Sequence, residues 1–433
     1  MKSGTAIAFT IVLLIGVSAG AQDSWSTHTS AGEYAFARGN LERAESEFRT
    51  ALEIAQGFPA GDRRLETSLE NLARFYEHES DFDRAQPLYQ LLLAAKEHRL
   101  GSENPALLSS LYAVARVSQP MGDLPTVVSS LERFAAIAKA SGKADPRQYW
   151  QVLQMLARMQ TIQENPDQAV KWQRLSAEAI ADDRGATSEE KIDLLVGLAE
   201  MELVAENGPA AERIYVEVAE LRTEEDEADA FPDTMADGAE TALNAAAFET
   251  AERLAMRAIN AHPDADAELK TRTVLAELSW IKVNRGTDDM ENLLAAASDD
   301  KELVRARDRL RALMVLEGTD KRTTLTRLAQ VEALRGQPAS AADWQFQLLE
   351  IVADDPEAAA AARRDLVTLL AAAGRYDEAL AENAAVLADL EAQYGTSDKR
   401  LLPVLNQRQA LFEAAGNKKQ AKKTRKRIKK LTR

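Results

Sequence analysis

The side chains best suited to proton transfer or metal binding near neutral pH are His28, His78, His98 and His262. They are scattered, and none has a second histidine four residues on, so no helix face offers paired imidazoles to a metal. The chain has no cysteine, which excludes disulfides and thiolate metal sites. Carboxylates are abundant, 69 acids against 53 bases, so a pair of acids carries no signal for acid–base catalysis. Asp264-Ala-Asp266-Ala-Glu268 alternates acids but lacks the glycine and distal glutamate of a calcium loop, and reads as a solvated helix start. Gly16-Val17-Ser18-Ala19-Gly20 matches a nucleophile elbow in letters only, because it lies in a segment expected to be cut away. No phosphate loop, dinucleotide fingerprint or zincin motif is present in the rest of the chain. The expectation is a protein without catalytic, metal-binding or cofactor-binding residues: not an enzyme, and needing no cofactor.

Two other sets of residues carry a binding chemistry. Arg74, Arg116 and Arg158 recur 42 residues apart, and a guanidinium fork suits a carboxylate. Glu70 and His78 lie one helical turn either side of Arg74, and Tyr112 and Gln154 are the later equivalents of Glu70. Either these arginines form a strip that receives acids of a partner, or they pair with acids of neighbouring helices, the common fate of surface arginines. Glu33 and Glu200 at the flanking positions limit the strip to three rungs. The second set is the C-terminal run 417–433, with ten bases and no acid, among them Lys418, Lys419, Lys422, Lys423, Arg425, Lys426, Arg427, Lys429 and Lys430. The whole chain is at −16; without Lys2 and these ten bases, residues 22–416 stand at −27. Such a body does not suit nucleic acid as its partner.

The elements that position these residues come from an internal repeat. Leu72-Ala73-Arg74, Val114-Ala115-Arg116, Leu156-Ala157-Arg158 and Leu198-Ala199-Glu200 fall 42 apart, as do Ala85, Val127, Ala169 and Ala211. A first unit fits one residue short, with Gly32, Gly39, Ala44, Phe48 and Ala51. Each unit shows two apolar stripes at three-and-four spacing, hence two helices. A small residue on the first helix admits the second, another small residue on the second receives it, and four places on Phe48, Tyr89, Leu131 or Tyr215 fills the gap. Short helix pairs cannot bury such stripes alone and must stack.

The unit resembles the tetratricopeptide repeat. Gly39-Asn40-Leu41-Glu42-Arg43-Ala44 and Gly374-Arg375-Tyr376-Asp377-Glu378-Ala379-Leu380 are close to its turn and second helix. The period of 42 in place of 34, and loops such as Leu100-Gly-Ser-Glu-Asn-Pro105 and Tyr394-Gly-Thr-Ser-Asp398, are similar to the kinesin-light-chain branch. The resemblance implies an all-α fold, an α-solenoid of about ten stacked antiparallel helix pairs in a right-handed superhelix. It also implies that the first helices line a concave groove holding a protein segment, with Arg74, His78, Tyr112, Arg116, Gln154 and Arg158 on it.

Residues 1–21 read as a signal peptide: Lys2, an apolar run from Ala6 to Val17 too short to span a bilayer, and an A-x-A site ending at Ala21. The mature chain is then expected in the periplasm or outside the cell, with no later transmembrane segment. An array of about five repeats over 22–220 would precede an acidic linker at 221–233, within an extended or partly disordered stretch from Glu220 to Glu240. A looser array at 234–415 follows, with an extra helix between Gly286 and Gly336 at Lys301–Leu316, and a basic capping helix or tail at 416–433. The expected function is an exported scaffold binding a partner protein, with an acidic segment as the chemistry that fits the arginines. The alternative is a tethering or structural protein whose basic C-terminal helix meets an anionic envelope surface.

Overall fold

The computed structural model describes residues 19–224, 230–261, 264–284, 286, 289–298 and 300–432. The expected signal peptide therefore lies outside the described residues except for 19–21. Among the described residues the secondary structure is helical, with turns and no strand. The chain divides into two compact units, the first ending at Met201 and the second starting at Glu202.

In the first unit the helices are α1 (Ala19–Ala37), α2 (Leu41–Ala55), α3 (Arg63–His78), α4 (Phe82–Leu100) and α5 (Leu108–Ser118). They continue as α6 (Leu124–Ser141), α7 (Pro146–Ile162), α8 (Pro166–Ala179) and α9 (Ser188–Val204), within which the division falls. The second unit holds α10 (Gly208–Glu224), α11 (Ala230–Asn244), α12 (Phe248–Asn260), α13 (Ala265–Val283), α14 (Met290–Ala295) and α15 (Lys301–Leu313). Its remaining helices are α16 (Lys321–Leu334), α17 (Pro338–Ile351), α18 (Pro356–Ala372), α19 (Tyr376–Tyr394), α20 (Leu402–Ala414) and α21 (Lys418–Leu431). Within each unit neighbouring helices pack as pairs, and second helices also pack on the first helix of the following pair, as α2 does on α3 and α17 on α18. This is the stacked, all-α solenoid architecture.

The 42-residue period is written in the backbone turn between the two helices of a pair. One residue takes the left-handed conformation, and the next N–H closes the helix: Asn40 N donates to Ala35 O at 2.9 Å, Asp81 N to Tyr76 O at 2.8 Å and Asn165 N to Gln160 O at 2.9 Å. Glycine fills the left-handed place at Gly39, Gly122, Gly336, Gly374 and Gly416, but Ser80, Glu164, Glu206 and Ala246 hold it elsewhere, with φ of 57 to 59°. A Cβ in that region costs about 1 kcal/mol or more. Ala246→Gly, which removes no polar group, is therefore expected to stabilise the second unit by about 0.5–1 kcal/mol after the loss of chain entropy, read as a raised denaturant midpoint.

The small residues sit where the pairs close. Ala44, Ala85, Val127, Ala169 and Ala211 are all buried, as are Ala73, Ala115, Ala157 and Ala199 on the first helices. A Cβ added to Gly32, in α1, would stand 2.6 Å from the Phe48 ring. That ring is held edge-on by Phe36 and Phe75, so Gly32→Ala is expected to cost about 1–3 kcal/mol in thermal unfolding. Four places beyond the small residue, Phe48, Tyr89, Leu131 and Tyr215 are buried as expected. Three other units place a buried amide there instead. Gln173 Nε2 donates to Leu194 O at 2.9 Å, Gln345 Nε2 to Ala362 O at 3.1 Å and Asn383 Nδ2 to Val404 O at 3.3 Å. Each ties a second helix to the backbone of the next pair.

The structure corrects the sequence reading at three places. Residues Lys301–Leu313 are no extra helix: as α15 they are the partner of α13, and the insertion is the short α14, which packs on α16 and α18. Asp289 caps α14 by accepting from Glu291 N and Asn292 N, a start signal hidden in a run with no repeat counterpart. Residues 230–240 are helix α11 and not an extended connector; Pro232 lies in the first turn, where a missing N–H costs no helix bond. Within the expected linker 221–233, residues 221–224 close α10 and 225–229 lie outside the described residues, while the two units part inside α9. Asp264 caps α13 by accepting from Ala267 N at 2.8 Å, so the alternate acids do begin a helix.

Candidate protein-binding face

Helices α3, α5 and α7 present Arg74, Arg116 and Arg158. In each case the preceding alanine is fully buried, which turns the arginine outward, and all three are exposed. Their pairing differs. Arg116 clasps Glu77 of α3, Nε to Oε1 at 2.7 Å and a terminal nitrogen to Oε2 at 2.8 Å. The same carboxylate accepts from the Tyr89 hydroxyl at 2.6 Å, and burial together with that acid raises the Tyr89 pKa well above the ordinary phenol value. The side chains of Arg74 and Arg158 make no hydrogen bond or ion pair among the described residues. The sequence explains the difference: 42 residues after Glu77 stands Gln119, and 41 before it Phe36, so only the middle rung finds an acid on the preceding first helix.

The other expected groove residues separate in the same way. His78 is exposed; its Nδ1 lies 2.9 Å from Glu79 Oε1 and its ring stands edge-on to Phe36, centroids 5.0 Å apart. Tyr112 is half-buried with its ring 6.4 Å from Phe134, so it packs the α5–α6 interior more than it lines a surface. Gln154 is half-buried on α7. Ile162, one turn beyond Arg158, is 60% exposed and went unnoticed in the sequence because an apolar residue near a helix end carries no periodic signal. Several arginines of the second unit are engaged. Arg253 and Arg257 both hold Glu212, at 2.6 and 2.9 Å. Arg309 holds Glu252 at 2.7 Å, and Arg327 pairs with Glu277 over the Trp280 ring.

The basic C-terminus is a helix with two faces. Ala421, Thr424 and Leu431 are buried and Ile428 half-buried, and Leu431 and Ile428 close a small core with Val386, Leu387, Leu401, Val404 and Leu405. Arg427 belongs to this docking: it pairs with Glu391 and donates to Thr396 O at 3.0 Å. Lys418, Lys419, Lys422, Lys423, Arg425, Lys426, Lys429 and Lys430 are exposed, and their side chains make no hydrogen bond or ion pair among the described residues. Among those residues no group of three or more histidines and acids could hold a metal ion, and no helix is long and apolar enough to cross a membrane.

No family model matches the chain, and no curated protein matches it. Among solved structures it is similar to tetratricopeptide-repeat proteins. The nearly identical TPR-like repeats of a Podosopora anserina kinesin light chain align at 18% identity and a TM-score of 0.37, over 49% of this chain and all of that one. A tetratricopeptide repeat protein from Parabacteroides merdae aligns at 13% identity and 0.35, over 71% of this chain and 99% of its own. Pseudomonas aeruginosa pilF aligns at 17% identity and 0.31, over 60% and 99%.

Proposed function

We propose that this chain is a protein-binding scaffold that holds an acidic segment of a partner protein on the first-helix face of its first unit. The observation carrying this reading is the pair Arg74 and Arg158, equivalent by the repeat, exposed, and without an acid of their own in a strongly acidic chain. A charge-assisted fork to a partner carboxylate is worth about 1.5–3 kcal/mol, tenfold or more in affinity for each arginine. Ile162 adds apolar area beside the second fork. No chemical step is involved; the scaffold works by recognition.

The scaffold is exported in this proposal, to the periplasm or beyond, and cut after Ala21. The first tertiary hydrogen bond of α1 supports that cut: Trp25 Nε1 donates to Ser68 Oγ at 2.9 Å, beyond the expected cleavage point. N-terminal sequencing of the mature protein should begin at Gln22.

Affinity capture from the cell envelope tests the binding face. Arg74→Glu with Arg158→Glu should remove the partner recovered by the wild-type protein, whereas Arg116→Glu alone should weaken recovery less, because that side chain is already committed to Glu77. Full recovery by the double variant, with its fold intact by circular dichroism, would sink the reading.

A further inference from the structure

Many cations in the body of this protein meet the body's own acids: Arg99 with Glu66, Arg116 with Glu77, Arg253 with Glu212, Arg309 with Glu252. Helix α21 differs in gathering on one helix eight exposed cations whose side chains make no hydrogen bond or ion pair among the described residues. At 100° per residue, buried Ala421, Thr424 and Leu431 and half-buried Ile428 occupy one side. The eight cations then fill a continuous arc of roughly 160° on the other. Their arc contains no acid and no apolar side chain. The helix has 14 residues and so runs about 21 Å. Among the described residues it packs mainly on α20, with Arg427 and the core around Leu431 as further ties to α19. Capping the array needs a polar outer face but does not need eight like charges, which repel one another along a helix.

We infer that α21 is a docking surface for an anionic lipid bilayer, bound peripherally by charge. Three features select that occupant. Seven of the eight are lysines, point charges suited to a diffuse layer of phosphates more than to one bidentate site. No aromatic residue interleaves them, as stacking on a nucleic-acid strand would require. And nothing apolar faces outward, so the helix lies on headgroups without inserting. The acidity of the rest of the chain does not forbid this, because beyond a Debye length of about 8 Å its repulsion is screened at physiological ionic strength. This surface is independent of Arg74 and Arg158, and can hold or fail apart from the scaffold reading.

The test is co-sedimentation of the purified mature chain with vesicles of phosphatidylglycerol mixed into phosphatidylcholine, against vesicles of phosphatidylcholine alone. Binding is expected to the mixed vesicles only and to disappear in high salt. Each neutralised cation should weaken it about fivefold, at about 1 kcal/mol per basic residue. Lys422→Gln, Lys423→Gln, Lys426→Gln and Lys430→Gln together should abolish it, while the same four positions as arginine should keep it. Both variants leave the buried stripe intact, and an unchanged melting curve certifies that α21 stays docked. Equal binding to both vesicle types, salt-insensitive binding, or full binding by the glutamine variant would overturn the inference. So would a soluble DNA fragment that strips the protein from vesicles at equal phosphate, pointing to nucleic acid. Salt-sensitive self-association with no vesicle binding would assign the arc to a second copy of the chain instead.

Discussion

Phe134→Ala is expected to destabilise the first unit by about 3–5 kcal/mol, the range for emptying a fully buried aromatic site. Phe134 is completely buried on α6, with the Tyr112 ring of α5 against it and Leu131 one turn before it. Helix α6 packs mainly on α5 and α7, so the cavity lies at the heart of a three-helix contact that cannot close without shifting both neighbours. In a stack stabilised by nearest neighbours the damage stays local. Hydrogen exchange should therefore report faster opening in α5–α7 first, and vesicle binding by α21 should be unchanged at temperatures where the variant is still folded. A loss below about 1 kcal/mol in denaturant unfolding would mean that the pairs do not pack as described.

Glu252→Gln should cost the second unit about 2–3 kcal/mol at neutral pH and also flatten its acid response. Glu252 accepts from Arg309 at 2.7 Å and from Lys282 at 3.0 Å. Arg309, only 18% exposed, also donates to Ser279 Oγ at 2.9 Å and reaches Leu275 O. Removing the acid leaves a largely buried guanidinium short of its main partner. Burial alone would push the Glu252 carboxyl up, but the hydrogen bonds and charges of Arg309 and Lys282 outweigh it and hold the pKa below its ordinary value. Glu212 is governed the same way, burial opposed and outweighed by Arg253 and Arg257. A carboxyl depressed in the folded state contributes its stability in full above its unfolded pKa and loses it as pH falls through the folded one. Wild-type stability should thus decline as the pH drops below the ordinary glutamate range, and the Glu252→Gln variant should show a shallower decline there. Parallel pH profiles for the two proteins would contradict the assignment.

Much of the scaffold was legible in the sequence because its rules are local. The small residue, the large residue four on, and the turn glycine at Gly39, Gly374 and Gly416 all act within a few residues of one another. Where the turn is held by Ser80, Glu164, Glu206 or Ala246, only the register betrays it, since nothing in those side chains favours a left-handed backbone. The candidate face was only half legible. Equivalent arginines could be counted, but their fates depend on acids about one repeat away in sequence: Glu77 answers Arg116 across 39 residues, and no acid stands in the same place for Arg158. Tyr112 looked like groove chemistry because its repeat position matches Glu70; the ring follows the apolar interior instead. Helix α14 was invisible for the opposite reason, having no counterpart in the period against which to be noticed.

The buried amides at Gln173, Gln345 and Asn383 have an evolutionary corollary. Each reads a carbonyl of the adjoining pair, and every residue type supplies the same carbonyl. Alignment between neighbouring units is thereby fixed by an atom that substitution cannot remove, leaving the side chains of the first helix free to drift. Such an array can lose its consensus letters and still keep its spacing, and new outward-facing chemistries, a fork in one unit and an isoleucine beside it, can be tried without unsettling the stack.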